Sequence, residues 1–199
     1  MPSLEDEELV IRMLAAKGLK AVRFSKTERR QGKTPDFKVF NDEVLVFYCE
    51  VKSIEDDRWL EKKLETASPG QLVGGDRSDP VFNRLSDDIH TAAAQFSAVN
   101  PQVQVPNVLV FVNHDSICDE QDLAGVVTGK FLAEDGSAHR VYEKFSEGRI
   151  KDEKFEIGAY VWIEEERLRS VLFNQNDARH KDLCALLGYV SSSIPPITP

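Results

Sequence analysis

Two short runs hold the residue types best suited to chemistry: Pro35-Asp36, and Glu50-Val51-Lys52 at the end of an apolar stretch beginning near Leu45. Side chains alternate across a β-strand, so Tyr48, Glu50 and Lys52 share one face while Cys49 and Val51 take the other. Charged groups ending such a strand are costly to desolvate unless they are paired, ligated to a metal or reached by solvent. Asp36 heads the preceding strand candidate and can approach Glu50 if the two strands close as a hairpin. Two carboxylates and an ammonium in one small volume form a hard-oxygen donor set suited to Mg²⁺, with Mn²⁺ as a possible substitute. A cation there would offset the repulsion between the carboxylates, lower the pKa of a bound water and neutralise charge on a phosphodiester under in-line attack. Lys52 would orient that water or stabilise the developing charge.

The elements that must position these groups can be read from periodicity. Ser3 followed by Asp6 resembles a capping box with Asp in place of Glu, and Leu9, Val10, Met13, Leu14 and Lys17 recur at helical spacing before Gly18, which predicts an amphipathic first helix. Ala21–Phe24 reads as a short strand, and Ser25–Thr34, polar and without a hydrophobic period, as a loop closed by Pro35. Asp36–Phe40 and Leu45–Val51 read as neighbouring strands joined by the turn-like Asn41-Asp42-Glu43. Glu55–Glu65 is a charged helix candidate, Ser68–Pro80 a long loop, and Asn83–Val99 a helix with Leu85, Ile89, Ala92, Ala93 and Phe96 on one stripe. Val108–Val112 reads as a buried strand, so the expected fold class is α/β, a mixed central sheet flanked by helices. Further on, Gly125–Leu132 and Gly158–Ile163 read as strands and Asp177–Leu187 as a helix ended by Gly188. Residues 1–115 are expected to form the core, 116–190 an α+β elaboration of the same domain, and 191–199 a loose tail.

Composition limits the classes of function. The 199 residues, 41% hydrophobic and 30% charged, suffice for one globular core. Neither a secretion signal nor a run long enough to span a membrane is evident, so the expectation is a cytoplasmic protein without a membrane partner. Cys49, Cys118 and Cys184 are scattered, which argues against a zinc knuckle or a disulfide framework. A net charge of −9 has the wrong sign for binding nucleic acid through bulk charge. Any such contact must be local, and Lys17–Lys38 supplies a candidate: eight basic residues against Glu28 and Asp36, a local +6.

At Pro35-Asp36 and Glu50-Val51-Lys52 the chain resembles the PD-(D/E)xK superfamily of restriction-endonuclease-like nucleases, and in layout its Holliday-junction-resolvase-like members. Their order of elements is a first-helix glutamate, a basic loop, Pro-Asp, a hairpin and a Glu-x-Lys strand. The resemblance covers roughly the first half of the chain, to Val112, and departs from the family at the long Ile54–Phe82 insertion. It implies a restriction-endonuclease-like core and a Mg²⁺-dependent nuclease whose metal set comprises Glu7, Asp36, Glu50 and Val51, with Lys52 acting on the nucleophilic water. Glu5 and Glu8 remain alternatives to Glu7. Many members carry a glutamine on the helix after the motif strand, and Gln95 matches it, placed to brace Lys52 or a phosphate. DNA is the implied partner, with a homodimer or a protein partner also open. A non-catalytic module that keeps the fold while binding a protein or nucleic acid is the rival from another class.

Other signals carry less. Gly32-Lys33-Thr34 echoes a phosphate-binding loop without its earlier glycine, which here is Thr27. His114-Asp115 reads as a strand-end loop, since His90, His139 and His180 show no matching metal-ligand spacing. No Gly-x-Ser-x-Gly elbow occurs. Trp59 and Trp162 read as core or rim.

Overall fold

The computed structural model describes residues 3–55, 59–73, 78–133, 135, 137–140, 150, 153–174 and 179–189. In chain order the elements are α1 (Leu4–Ala15), β1 (Leu19–Arg23), α2 (Lys26–Gln31), β2 (Phe37–Asn41), β3 (Val44–Ile54), α3 (Trp59–Thr66), α4 (Ser78–Val99) and β4 (Asn107–Asn113). There follow α5 (Glu120–Thr128), β5 (Lys130–Leu132), β6 (Ala138–Arg140), a 3-10 turn at Glu153–Phe155, β7 (Ala159–Glu164), β8 (Arg167–Phe173) and α6 (His180–Leu186). Six strands form one sheet in the order β1-β2-β3-β4-β7-β8. β3, β4 and β7 are parallel, and antiparallel pairs lie on either side of them. This is the expected α/β class, a mixed central sheet flanked by helices, consistent with a restriction-endonuclease-like core.

Alternation along the central strands divides the apolar residues between two cores. Phe47, Cys49 and Val51 of β3, with Val108, Val110 and Val112 of β4, meet Leu9, Val10 and Leu14 of α1 and Leu183 and Cys184 of α6. On the opposite face Leu109 and Phe111 of β4 and Trp162 of β7 meet Leu85, Ile89, Ala92 and Phe96 of α4 and Leu123 and Val126 of α5. Every residue of β4 is buried, as a strand covered on both faces requires. Glu50 and Lys52 therefore point toward α4, away from α1. The three cysteines are buried, and Trp162 is fully buried. The Trp59 side chain and the tail from residue 190 onward lie outside the described residues.

Three segments differ from their sequence reading. Lys26–Gln31 is helical where Ser25–Thr34 reads as a loop. The helix buries no residue, so no hydrophobic period could reveal it, and it is defined instead by a capping box in which Ser25 and Glu28 each accept the other's backbone N–H. Gly125–Thr128 belongs to α5 and not to a strand, which spans only Lys130–Leu132. The Asp119–Asp122 capping box, the Leu123/Val126/Val127 stripe and left-handed Gly129 override a run of β-branched residues. The long helix begins at Ser78, five residues before Asn83, with Pro80 in its first turn, where a missing N–H costs no intrahelical bond.

Among the described residues no helix is long and apolar enough to cross a membrane.

Candidate active site at the β2–β3 hairpin and α4

β2 and β3 pair antiparallel with Phe37 opposite Cys49, which sets Asp36 opposite Glu50. The turn is a two-residue connection in which Asp42 adopts φ 51°, a left-handed conformation that Asp tolerates better than most residues. At the open end of the hairpin the two acidic residues interlock. The Asp36 backbone N–H donates to Glu50 Oε2 at 3.0 Å, and the Val51 N–H donates to Asp36 Oδ2 at 2.8 Å. These bonds fix both carboxylates to backbone rather than leaving them to solvent.

Lys52 lies on the same face, its Nζ 2.7 Å from Glu50 Oε1. Gln95, four residues before the C-terminal end of α4, presents Oε1 to Lys52 Nζ at 3.4 Å, and its Nε2 donates to the Thr34 carbonyl at 2.9 Å. Gln95 thus ties α4 to the segment leading into Pro35-Asp36 and braces the ammonium. The structure therefore brings together Asp36, Glu50, Lys52 and Gln95. Val51 contributes only backbone here, because its side chain is buried in the α1-facing core.

Glu7 is placed differently. It sits on α1, the helix covering the other face of the sheet, and its carboxylate is ion-paired with Arg23, whose guanidinium also lies 5.2 Å from the centre of the Phe37 ring. Glu8, the alternative considered beside it, is 3.6 Å from the same Arg23. Among the described residues Glu7 does not join Asp36 and Glu50 in a three-carboxylate cluster of ligand spacing.

The electrostatics follow from burial and crowding. Glu50 is 2% exposed, and its pKa is raised from 4.5 to about 7: loss of hydration is the main cause and the Asp36 charge the second, with Lys52 and Gln95 pulling it back. Burial and the same two carboxylates push the Cys49 thiol far above its ordinary range, so it is inert as a nucleophile. With Glu50 ionised, Asp36, Glu50 and Lys52 together carry a net charge of −1.

Sequence reading missed a further carboxylate. Asp88 lies on α4 between Arg84 and Gln95, within about 40° of both on the helix circumference at 100° per residue. Burial raises its pKa, and Lys52 and Arg84 are the charges that pull it back most. Asp88 is therefore close enough to Lys52 and Arg84 to feel both charges. The spacing of Asp88 and Gln95, seven residues apart on one helical stripe, was the available signal.

The basic stretch is partly spent on internal bonds. Arg23 pairs with Glu7, Lys38 with Glu28, and Lys17 Nζ donates to the Leu187 carbonyl at 2.8 Å. The Lys38 bond holds Glu28 down at about 2. Lys26, Arg30 and Lys33 stay exposed. A cleft of about 480 Å³ runs past Lys33, Thr34, Lys38 and Tyr48, and so reaches the segment where Gln95 is anchored.

No protein-family model, curated protein or solved structure matches this chain.

Proposed function

We propose that this protein is a divalent-metal-dependent phosphodiesterase of the restriction-endonuclease-like kind, acting on nucleic acid and by preference on DNA. The observation that carries the reading is the interlock of Asp36 and Glu50 across adjacent strands with Lys52 Nζ 2.7 Å from Glu50. A purely structural ion pair would need one carboxylate. Here a second one raises the cost of ionising the first, a cost that a hard dication removes.

The donor set fits such an ion: the two carboxylates and the Val51 backbone carbonyl are hard oxygens, with Mg²⁺ the expected occupant and Mn²⁺ a substitute. When bound, the ion would supply a water acidic enough to attack near neutral pH and would offset phosphate charge. The chain's own residues do the rest. Lys52 donates hydrogen bonds to the attacking water and to the oxygen on which charge develops. Gln95 holds the ammonium in place, the Asp88 charge adds to the field around it, and Asp36 keeps Glu50 oriented through its backbone N–H. Water oxygen joins phosphorus as the bond to the leaving sugar oxygen breaks, and the proton released by the water ends in solvent or on the leaving group. Lys26, Arg30 and Lys33 would contact the phosphate backbone beside the cleft, which answers the −9 net charge with local attraction.

The test is incubation of the purified protein with Mg²⁺ or Mn²⁺ and a panel of linear, branched and single-stranded substrates, beside Lys52→Ala and Asp36→Asn. Cleavage should depend on the ion and fall at least about 100-fold in both variants. Cleavage that survives in both variants contradicts the assignment. Metal-independent binding without cleavage would identify the chain as a non-catalytic module on the same fold.

A further inference from the structure

A second cluster of ligating groups lies outside this site, on the α1 side of the sheet, where the C-terminal ends of β3 and β4 meet the start of α1. Asp6, Glu55 and His114 each present one ligand atom there, all within 4.8 Å of one another. His114 Nε2 and Asp6 Oδ1 are 3.0 Å apart. Two ligands bound at about 2.1 Å to one ion lie about 3.0 Å apart at right angles and about 3.4 Å apart in a tetrahedron. That pair already has the spacing of shared coordination, and the exposed Glu55 offers a third ligand atom within 4.8 Å of both.

The backbone holds all three in place. The His114 N–H donates to the Ile54 carbonyl at 2.8 Å, which locks the β4 end to the residue before Glu55. Arg84 Nη1 donates to the Glu55 carbonyl at 3.0 Å. Asn113 and Asp115, on either side of His114, are buried; Asn113 Nδ2 donates to the Asp115 and Cys118 carbonyls, and Arg84 pairs with Asp115 at 2.6 Å. Asp6 is itself buried, its backbone N–H bound to Ser3 Oγ at 3.1 Å and its Oδ2 to the Ser53 hydroxyl, which leaves Oδ1 facing His114. Hydrogen bonding the distal oxygen of a ligating carboxylate is the usual support for a metal ligand. Asp6 and His114 line a cleft of about 530 Å³ that also has Glu5, Glu8, Glu165 and Glu166 in its walls against a single Arg12, a surface that concentrates cations.

We infer that Asp6, Glu55 and His114 form a second metal site, for a transition cation of the Zn²⁺ type, which staples the start of α1 to the ends of β3 and β4. One imidazole with two carboxylates favours Zn²⁺ over Mg²⁺, which prefers all-oxygen coordination. Binding would replace the His114–Asp6 hydrogen bond, with the imidazole in its Nδ1–H tautomer so that the Nε2 lone pair faces the ion. The His114-Asp115 dipeptide, which reads from sequence as a strand-end loop, gains its partners only through folding.

The experiment is calorimetric titration of ZnCl₂ into Asp36→Asn protein, whose β2–β3 carboxylate pair is broken, compared with the same protein carrying His114→Ala or Glu55→Gln. Both of these side chains are exposed, so neither change threatens folding. The expected result is one equivalent of Zn²⁺ bound, an affinity at least tenfold weaker in each added variant, and no competition from millimolar MgCl₂. A Zn²⁺-dependent rise in Tm should be lost in parallel. Absence of binding, an affinity unchanged by both substitutions, or displacement by millimolar Mg²⁺ would each overturn the inference.

Discussion

Replacing Glu50 with Gln should stabilise the metal-free protein at pH 8 and leave it nearly unchanged at pH 4.5. Glu50 is buried against Asp36, and its pKa is raised from 4.5 to about 7. Between those two values the folded chain holds a proton that the unfolded chain has released, so stability declines as pH rises through the window and levels off above it. Each pH unit of separation corresponds to about 1.4 kcal/mol, so the ionised Glu50 costs up to about 3 kcal/mol at pH 8. Gln keeps the shape and removes that cost. For a chain of this length the gain should appear as a Tm higher by about 5–10 °C at pH 8, with little difference at pH 4.5. Thermal unfolding followed by circular dichroism across pH 4.5–8 in the presence of a chelator reads the effect directly. Adding Mg²⁺ at pH 8 should raise the wild-type Tm and leave that of Glu50→Gln almost unmoved. A Glu50→Gln protein less stable than wild type at every pH would refute the reasoning, because Glu50 would then serve as a structural partner of Lys52 and not as a crowded carboxylate.

Other expectations follow from the same geometry. Gln95→Ala removes the amide bridging Lys52 and Thr34 and should lower kcat about tenfold while costing only about 1 kcal/mol of stability by urea titration; unchanged turnover would remove Gln95 from the site. Arg30→Glu with Lys33→Glu should weaken DNA binding and lower the magnitude of the log Kd against log salt slope by about 2, and an unaltered slope would place the nucleic acid elsewhere. Glu166 lies in the two-residue β7–β8 turn with φ 57°, where Glu165 is also left-handed at 48°. Glu166→Gly should therefore raise stability by about 1 kcal/mol in equilibrium denaturation, and a loss there would mean the carboxylate makes a compensating contact.

What could be read before folding followed from whether the signal was local. Period-two alternation through Tyr48, Glu50 and Lys52 put the two charges on one face, and the Leu85–Phe96 stripe gave α4, because each pattern is written within one element. The short Asp36–Glu50 separation made their meeting a matter of one hairpin turn. The capping box of α2 was equally local, yet it was hidden by the absence of any apolar residue to mark a buried face. Glu7 shows the opposite limit. Its position on α1 was legible, but its partner Arg23 comes from β1, and helical spacing alone cannot say toward which neighbour a first-turn carboxylate turns. Asp88 escaped because burial and the approach of Lys52 arise only when α4 docks on the sheet. His114, fifty-nine residues from Glu55 and 108 from Asp6, acquires meaning only from the parallel register of β3 and β4.

The most direct test of the central claim, that Asp36 and Glu50 share a divalent cation, is Mn²⁺ titration followed by electron paramagnetic resonance. It is best done in the His114→Ala protein, so that the second cluster does not contribute. Saturable loss of the free Mn²⁺ signal, reversed by Mg²⁺ and abolished by either Asp36→Asn or Glu50→Gln, is the predicted result. Mn²⁺ binding that persists in both variants, or no binding at all at millimolar Mn²⁺ and pH 8, would contradict it.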